Sequence, residues 1–142
     1  MGIREASSTD IPELCKLMFQ LNQHEISPED MQNRLHFVKE SPFDYLYVYE
    51  EEGAIPGLLG FRIRENLEEV SRFGEISVIV VDAETRGKGI GRSLMDFAER
   101  LAQEHECMGT WLVSGLGREE EAHKFYKQLG YEITGYRFVK RK

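Results

Sequence analysis

The segment from Arg86 to Arg92, RGKGIGR, alternates glycines with cations where a β-rich run meets an amphipathic helix. Glycine weakens both helices and strands, so this alternation needs a reason. The first N–H groups of a helix are unpaired and carry the positive end of its dipole, and glycines let an anion approach them closely. The pattern therefore predicts a site for a phosphorylated ligand. A solvated glycine-rich turn is the alternative interpretation.

Two familiar phosphate-binding motifs do not fit this segment. The letters RGKGIGRS lack the four-residue gap and the Gly-Lys-Ser/Thr ending of a P-loop. The letters GKGIGR lack the last glycine of the dinucleotide fingerprint, and no suitable βαβ unit surrounds them.

The helices and strands that position this turn can be predicted from hydrophobic periodicity and from turn and cap residues. They predict an α/β fold with a mixed, mostly antiparallel central sheet flanked by helices. The first elements are a strand (IREAS), a helix (IPELCKLMFQLN) and a second helix that Ser27 caps. They are followed by an antiparallel pair of strands (FDYLYVYEE and GLLGFRIREN, joined by a Gly/Pro turn), a central strand (GEISVIVVD) and a helix from Ile90. The last elements are a strand (GTWLVSG), a helix ending at Gly130 and a C-terminal hairpin (YEITGYRFVK) that turns near Gly135.

Composition limits the classes of protein. A length of 142 residues without linkers or repeats predicts a single domain, 1–142. The formal net charge of −7 argues against nucleic-acid binding and weakly favours a cationic or neutral substrate. No apolar run suggests a signal peptide or a membrane span, and Cys15 and Cys107 suggest neither a disulfide framework nor a metal site. We therefore expect a cytoplasmic protein with no metal, no membrane and no nucleic-acid partner.

Two motifs in matching order resemble the GNAT superfamily of N-acetyltransferases. The family's acetyl-CoA signature, Gln/Arg-x-x-Gly-x-Gly/Ala, is similar to Arg86–Gly91, which reads RGKGIG. The family's late helix, Ala-x-x-Phe-Tyr-x-x-x-Gly-Tyr/Phe, is similar to AHKFYKQLGY. The order of elements resembles the family along nearly the whole chain.

The resemblance implies acetyl-CoA as co-substrate. Its pyrophosphate would lie on the backbone N–H groups of the turn, and its pantetheine arm would pair with the backbone of Ile79 and Val81 where the fourth strand splays from the fifth. The residues of the turn are Arg86, Gly87, Lys88, Gly89, Ile90, Gly91 and Arg92. Relatives often hold the pantetheine with an Asn after the fifth strand, which this chain lacks, leaving Ser114 or Arg118 as possible substitutes. The resemblance also allows a homodimer.

Acetyl transfer to an amine needs a deprotonated amine, a polarised carbonyl and a proton for the leaving thiolate. Glu75, at the start of the central strand, is the candidate base, because relatives with a strand-borne glutamate base place it at this offset from the turn. The alternative is a solvated strand-edge glutamate. Tyr126 is the candidate acid, since a phenol has a pKa near that of a thiol and relatives face this hydroxyl to the CoA sulfur. The alternative is a packed core tyrosine.

The resulting hypothesis is an acetyl-CoA-dependent N-acetyltransferase that acts on a primary amine by direct attack in a ternary complex. The alternative is a catalytically weak acyl-CoA-binding regulatory domain. By resemblance, the acceptor pocket would use residues from about Leu21 to Tyr45 together with YEITGYRF. Side chains there that could attract an amine are Glu25, Asp44, Tyr45 and Tyr136. The sequence does not identify the acceptor.

Overall fold

The computed structural model describes residues 2–114 and 119–142. These residues form five strands and four α-helices, with short 3-10 turns at Ser8–Asp10 and Ala83–Thr85. The order is β1 (Gly2–Glu5), α1 (Ile11–Asn22), α2 (Pro28–Glu40), β2 (Asp44–Glu51), β3 (Ala54–Glu65), β4 (Arg72–Val81), α3 (Ile90–Glu104), β5 (Gly109–Leu112) and α4 (Glu119–Gln128). None of the helices in these ranges is long and apolar enough to cross a bilayer.

The strands form one sheet in the order β1-β2-β3-β4-β5. The first three pairings are antiparallel and the β4–β5 pairing is parallel. This arrangement confirms the predicted mixed, mostly antiparallel sheet. The β2–β3 turn lies at Glu52 and Gly53, both with positive φ. Gly53 is therefore in the turn as predicted, whereas Pro56 lies inside β3.

Side chains alternate across the sheet and build one hydrophobic cluster on each face. Helices α1 and α2 cover one face, where Leu14, Leu17 and Met31 are almost completely buried against Val48 and Leu58. Helix α3 covers the other face, and side chains of α4 pack there too. We call these the α1/α2 face and the α3/α4 face.

Local capping explains where the first two helices begin. Ser27 accepts a hydrogen bond from the Asp30 N–H at 3.0 Å and Pro28 occupies the first helical position, as predicted. Before α1, the buried carboxylate of Asp10 accepts the Ser7 N–H at 2.8 Å and two guanidinium hydrogen bonds from Arg4, also at 2.8 Å. Asp10 therefore joins the start of α1 to β1.

A β-bulge changes the course of β4. Gly60 pairs with Val78 and Phe61 pairs with Ile76, which leaves Ser77 as the extra residue. The pairing of β4 with β5 ends at the same place, because Ile76–Leu112 is its last pair. From Ser77 onward β4 has no β5 partner among the described residues, so the pairing of the two strands ends there within that part of the chain.

The predicted C-terminal hairpin is wrong. Residues 131–142 contain neither strand nor helix, and Gly135 does not adopt the positive φ that a tight hairpin turn favours. From Glu132 onward the segment makes no hydrogen bond to any described residue. Alternating apolar residues indicate that a segment can pair as a strand, but not that a partner strand exists in the same chain.

Candidate functional site

The end of β4 is tied to helix α1. Gln20 of α1 accepts a hydrogen bond from the Ala83 N–H at 3.0 Å and donates one to the Asp82 carboxylate at 3.3 Å. The Asp82 carboxylate also accepts the Glu84 N–H at 3.1 Å. This backbone hydrogen bond, together with Gln20 and nearby cations, lowers the pKa of Asp82. The turn that follows β4 therefore starts from a fixed position.

Two glycines in this turn have backbone conformations that other residues resist. Gly87 has φ +90°, and Gly89, the N-cap of α3, has φ +81°. A β-carbon at either glycine would meet no described atom within 4 Å, so the space beside them is open. Left-handed backbone and empty space together favour the close approach of a ligand.

Among the described residues, no side chain caps the N–H groups at the start of α3, next to Gly87 and Gly89. The first helical hydrogen bond there runs from the Ser93 N–H to the Gly89 carbonyl at 3.0 Å. Earlier N–H groups of the helix have no acceptor among the described residues. Arg86, Lys88 and Arg92 are exposed around them. The arrangement can therefore bind an anionic group through backbone N–H groups and flanking cations.

Ile90 and Gly91 contribute backbone only. The Ile90 side chain is 3% exposed and belongs to the hydrophobic cluster on the α3/α4 face. A β-carbon on Gly91 would lie 3.5 Å from the ring of Phe125 and 3.6 Å from Val81. Both distances are ordinary van der Waals contacts, so the start of α3 lies directly against Phe125 of α4.

Beside this turn, the end of β4 presents backbone groups that no described residue of β5 pairs with. Ile79 and Val81 lie beyond the bulge, where β4 has no β5 partner among the described residues. Their side chains pack, partly buried, on the α3/α4 face, so only their backbone atoms are available at the edge. An extended ligand could hydrogen-bond there as an added strand does.

Tyr126 lies on α4, half-buried on the α3/α4 face. Its ring centroid is 5.3 Å from that of Phe125 and 6.1 Å from that of Tyr131. Tyr131 is held in turn by a 2.6 Å hydrogen bond between its hydroxyl and that of Thr110 on β5. Tyr126 is therefore placed by packing against its two aromatic neighbours.

Glu75 lies on the opposite face of the sheet from Tyr126, because its neighbours along β4, Gly74 and Ile76, face α3. Glu75 pairs with Trp111 of β5, and its carboxylate lies 3.7 Å from the guanidinium of Arg64. The same guanidinium lies 5.8 Å from the centre of the Trp111 ring. Glu75 is thus part of a polar cluster just before β4 and β5 separate.

The suggested acceptor residues do not form one pocket. Asp44 is bound by Arg62 and Ser41, and Tyr45 is directed to the α3/α4 face, where it packs near Tyr47. Glu25 is exposed in the α1–α2 connection. Tyr136 is 89% exposed on the C-terminal segment. In the sheet register Asp44 is two strands from Glu75, with Arg62 of β3 between them, and its carboxylate is already paired with that Arg62.

The two candidate substitutes for the pantetheine-binding Asn differ in whether the structure describes them. Arg118, one possible substitute for the missing pantetheine-binding Asn, lies outside the described residues, whereas Ser114 is described and half-buried. In the described ranges, no three His, Cys, Asp or Glu side chains are grouped closely enough to hold a metal ion.

The structure adds residues that sequence reasoning missed. Gln20 anchors the turn from 62 positions away along the chain, and no local pattern marks it. Arg64 and Trp111 surround Glu75, but they come from different strands, so only the pairing of β3 and β5 with β4 reveals them. The alternation of Arg62 and Arg64 with apolar residues in β3 was the available signal.

The chain has sequence relatives with related names. The model of the Acetyltransferase (GNAT) family matches residues 11–131. The chain is 25% identical over 138 residues to an aminoalkylphosphonate N-acetyltransferase of Salmonella typhimurium, covering 97% of this chain and 89% of that protein. It is 31% identical over 117 residues to an uncharacterised N-acetyltransferase of Bacillus subtilis, covering 82% of this chain and 81% of the other.

A solved structure shares the architecture. A transcriptional regulator from Bacillus halodurans superposes with a TM-score of 0.89 at 22% identity, covering 99% of this chain and 98% of that one. At this level of identity the likeness concerns the fold alone.

Proposed function

Since the chain belongs to the GNAT family of acetyltransferases and is an acyltransferase, we propose that it moves an acetyl group from acetyl-CoA to a primary amine by direct attack in a ternary complex. Members of this family use acetyl-CoA and act on amines. One observation carries the proposal: the start of α3, which no described side chain caps and which follows Gly87 and Gly89 in left-handed conformations, lies beside the part of β4 that has no described β5 partner. We take residues 1–142 as a single domain for this activity.

Acetyl-CoA would bind through two backbone surfaces. Its pyrophosphate fits the N–H groups between Arg86 and Arg92, where the glycines leave open space. Its pantetheine arm fits the edge at Ile79 and Val81, where β4 lacks a β5 partner within the described ranges. The thioester would then lie near the point where β4 and β5 separate.

Glu75 and Tyr126 would act on the two protons of the reaction. The amine nitrogen attacks the thioester carbonyl, its proton passes to the Glu75 carboxylate directly or through water, and the C–S bond breaks. The Tyr126 hydroxyl donates its proton to the departing thiolate, and exchange with solvent restores both groups. A backbone N–H near Ile79 would polarise the carbonyl. The gap between the strands is what would allow groups from opposite faces of the sheet to reach one thioester.

The acceptor amine is proposed to carry an anionic group. The Salmonella relative is named for aminoalkylphosphonates, and Arg64 offers this chain a cation 3.7 Å from Glu75. The side chain of Arg64 is 48% exposed, so it keeps room for a second partner. An anion bound by Arg64 would bring the amine of the same short molecule to the neighbouring Glu75. This proposal replaces the earlier expectation of a cationic or neutral acceptor, which rested on net charge alone.

The alternative is a regulatory domain that binds acyl-CoA without turnover. It would use the same turn and edge but would not require Glu75 or Tyr126. The presence of a carboxylate and a phenol at the two sides of the strand gap favours the enzyme.

The test is a thiol-release assay with acetyl-CoA and a panel of amines: aminoalkylphosphonates, amino acids, polyamines, aminoglycosides and peptides with free amines. Each aminoalkylphosphonate is matched with the amine of the same length that lacks the phosphonate. Acetyl-CoA binding is measured separately by calorimetry. We expect turnover with a preference for the anionic member of each pair.

Arg64→Gln and Glu75→Gln separate the acceptor proposal from the base proposal. Arg64→Gln should raise KM for anionic amines and leave uncharged ones nearly unchanged. Arg100→Gln is the matched control, because Arg100 also lies over an aromatic ring, Phe97 at 5.6 Å, but on α3. Glu75→Gln should lower kcat for every amine by about 100-fold, with the loss shrinking at high pH, where the free amine is already deprotonated.

The outcomes are distinct. Acetyl-CoA binding without turnover of any amine would favour the regulatory alternative. Turnover that is indifferent to the phosphonate would refute the anionic acceptor but leave the enzyme. Full activity of Glu75→Gln at neutral pH would refute the base assignment.

A further inference from the structure

One row of side chains crosses four strands at the candidate base. In the sheet register, Asp44 of β2 lies opposite Arg62 of β3. Arg62 lies opposite Glu75 of β4, which in turn lies opposite Trp111 of β5. Residues that are paired directly across a sheet point to the same face, and Glu75 faces away from α3. The α1/α2 face therefore carries, side by side, a negative, a positive and a negative side chain.

The Asp44–Arg62 half of this row is an ion pair that is largely shielded from solvent. The guanidinium of Arg62 lies against the Asp44 carboxylate, and the two side chains are 34% and 13% exposed. Farther along the same face of β2, Leu46 and Val48 are apolar and pack in the cluster beneath α1 and α2. Shielding an ion pair costs desolvation, and apolar residues of similar volume often stabilise a fold as well. The pair therefore points to a role other than stability.

The end of α2 fixes the Asp44 carboxylate. Ser41 is the C-cap of α2, and its hydroxyl donates a hydrogen bond to the Asp44 carboxylate at 2.7 Å. The oxygen of the same hydroxyl accepts the N–H groups of Phe43 and Asp44, each at 3.2 Å. Asp44 is thus held by its neighbours in the chain, and it holds the Arg62 guanidinium on the β2 side of the row.

Glu75 has two arginines beside it on β3 but pairs with only one of them. Its carboxylate lies 3.7 Å from the guanidinium of Arg64, which is one row away. Arg62 and Glu75 are both described, and although they lie opposite each other they form no ion pair. The neighbours of Glu75 on β4 and β5, Phe73 and Trp111, carry no charge. Helices α1 and α2, which are described throughout, place no cation within ion-pair distance of Glu75.

A second cation beside Glu75 would make it a weaker base. An opposite charge at close range favours the carboxylate over the carboxylic acid, so the carboxylate binds a proton less readily. Such a carboxylate takes a proton from an amine less effectively. Arg64 would be occupied by the anionic end of the acceptor, whereas a released Arg62 would stay beside Glu75 throughout the reaction.

We propose that Asp44 is a positioning residue that keeps Arg62 away from Glu75 and so preserves the strength of Glu75 as a base. The inference deepens the proposed function, since it rests on the assignment of Glu75 as the base. It does not depend on which amine is the acceptor. Asp44 would contact neither the amine nor acetyl-CoA, in contrast to the direct attraction of an amine that its charge suggested.

The experiment follows both the protonation of Glu75 and the turnover of the enzyme. Carbon-13 NMR of the glutamate carboxyl groups gives the pH at which Glu75 is half-protonated, and Glu75→Gln identifies its signal. Thiol release at saturating acetyl-CoA, with the most rapidly acetylated amine of the panel, gives kcat as a function of pH. Both are measured for the wild type, Asp44→Asn, Arg62→Gln and the double variant Asp44→Asn/Arg62→Gln.

Asp10→Asn is the matched control. Asp10 also pairs with an arginine, Arg4 at 2.8 Å, and its side chain is 5% exposed, but this pair lies at the start of α1. Asp10→Asn should lower stability, measured by thermal unfolding, without changing the midpoint of Glu75 or the pH profile of kcat. A purely structural role of Asp44 would make the two asparagine variants behave alike.

The expected result is a loss that depends on Arg62. In Asp44→Asn, the midpoint of Glu75 should fall by about one pH unit. The acidic limb of kcat should move in the same direction, and kcat at neutral pH should fall by about threefold to tenfold. The double variant should recover most of both changes, because the released cation is absent, and Arg62→Gln alone should resemble the wild type.

Three results would overturn the proposal. The first is an unchanged midpoint of Glu75 in Asp44→Asn. The second is a double variant that performs no better than Asp44→Asn, because the loss then does not come from Arg62. The third is a rise in KM at unchanged kcat and midpoint, which would assign Asp44 to the amine.

Failure of the proposed function gives a different result. If the wild type acetylates no amine, the enzyme is refuted. A lower midpoint of Glu75 in Asp44→Asn and its reversal in the double variant would still support the restraint of Arg62 by Asp44, because the NMR titration requires no turnover.

Discussion

A β-carbon built on Gly60 would lie 2.7 Å from the Oγ of Ser77, the extra residue of the β4 bulge, and 2.6 Å from Val78. Gly60 is therefore the residue that lets the bulge form at this point. The bulge coincides with the last β4–β5 pair, at Ile76 and Leu112. Gly60 thus makes room for the bulge at the place where the β4–β5 pairing ends, and where the proposed ligand would reach the edge of β4.

Gly60→Ala should damage both stability and cofactor binding. The added methyl group must displace Ser77 and Val78, which costs about 1–3 kcal/mol of the free energy of unfolding. Moving the bulge also moves the free edge at Ile79 and Val81, so the Kd for CoA should rise. Urea unfolding and calorimetry measure the two effects. Gly135→Ala is the control, because a β-carbon on Gly135 would meet no described atom within 4 Å. If Gly60→Ala is destabilised but binds CoA with unchanged affinity, the bulge does not position the edge of β4 for CoA.

Gly89→Ala tests the role of the glycine turn in CoA binding. Gly53→Ala is its control, because Gly53 has nearly the same backbone conformation. Gly89 has φ +81° and Gly53, in the β2–β3 turn, has φ +80°, and no described atom lies within 4 Å of a β-carbon built on either glycine. Each alanine variant should lose about 1 kcal/mol of stability from backbone strain. Only Gly89→Ala should weaken CoA binding, because only there would the methyl group occupy the space proposed for the pyrophosphate. Equal CoA affinity in the two variants would contradict that placement.

Tyr126→Phe and Tyr131→Phe remove one hydroxyl each from neighbouring rings on the same face of the sheet. Tyr126→Phe should lower kcat by about 100-fold, since the thiolate loses its proton donor. Tyr131→Phe should lower stability by about 1 kcal/mol instead, because it breaks the hydrogen bond to Thr110. Steady-state kinetics and thermal unfolding of both variants distinguish the roles. Equal losses of kcat would indicate a shared packing effect and not acid catalysis.

Acid should destabilise the fold through Asp10. Its hydrogen bonds from Arg4 hold the pKa of the Asp10 carboxyl below its ordinary value, so the folded state binds this proton less readily than the unfolded state does. The associated stability is present above the unfolded pKa, about 4, and is lost as pH falls through the lower folded pKa. Unfolding free energies measured as a function of pH should show this loss.

Asp10→Asn provides the comparison for that pH profile. The variant should lose about 2 kcal/mol at neutral pH, because Asp10 is 4% exposed and its charge-assisted hydrogen bonds are weakened. It should also show a shallower loss of stability between neutral and acidic pH. A variant profile parallel to that of the wild type would mean that other carboxylates cause the acid sensitivity.

Much of the fold was predictable because it depends on local chemistry. Ser27 followed by Pro28 predicts the start of α2, and the structure confirms it with the hydrogen bond from Asp30. The glycine turn before Ile90 was recognised because glycine and cations have few other reasons to alternate before a helix. The prediction of a C-terminal hairpin failed because strand-like alternation shows that a segment can form a strand but not that a partner strand is in place.

The sequence by itself determined the helices, the strand-forming segments, the glycine turn and the family, since propensity, periodicity and motif spacing act between residues close together in the chain. Only the tertiary structure decided that Glu75 and Tyr126 face opposite sides of the sheet, that Arg64 and Trp111 surround Glu75, and that Gln20 holds the end of β4. Those relationships depend on strand register, and a single bulged residue, Ser77, reverses which side chains face which side.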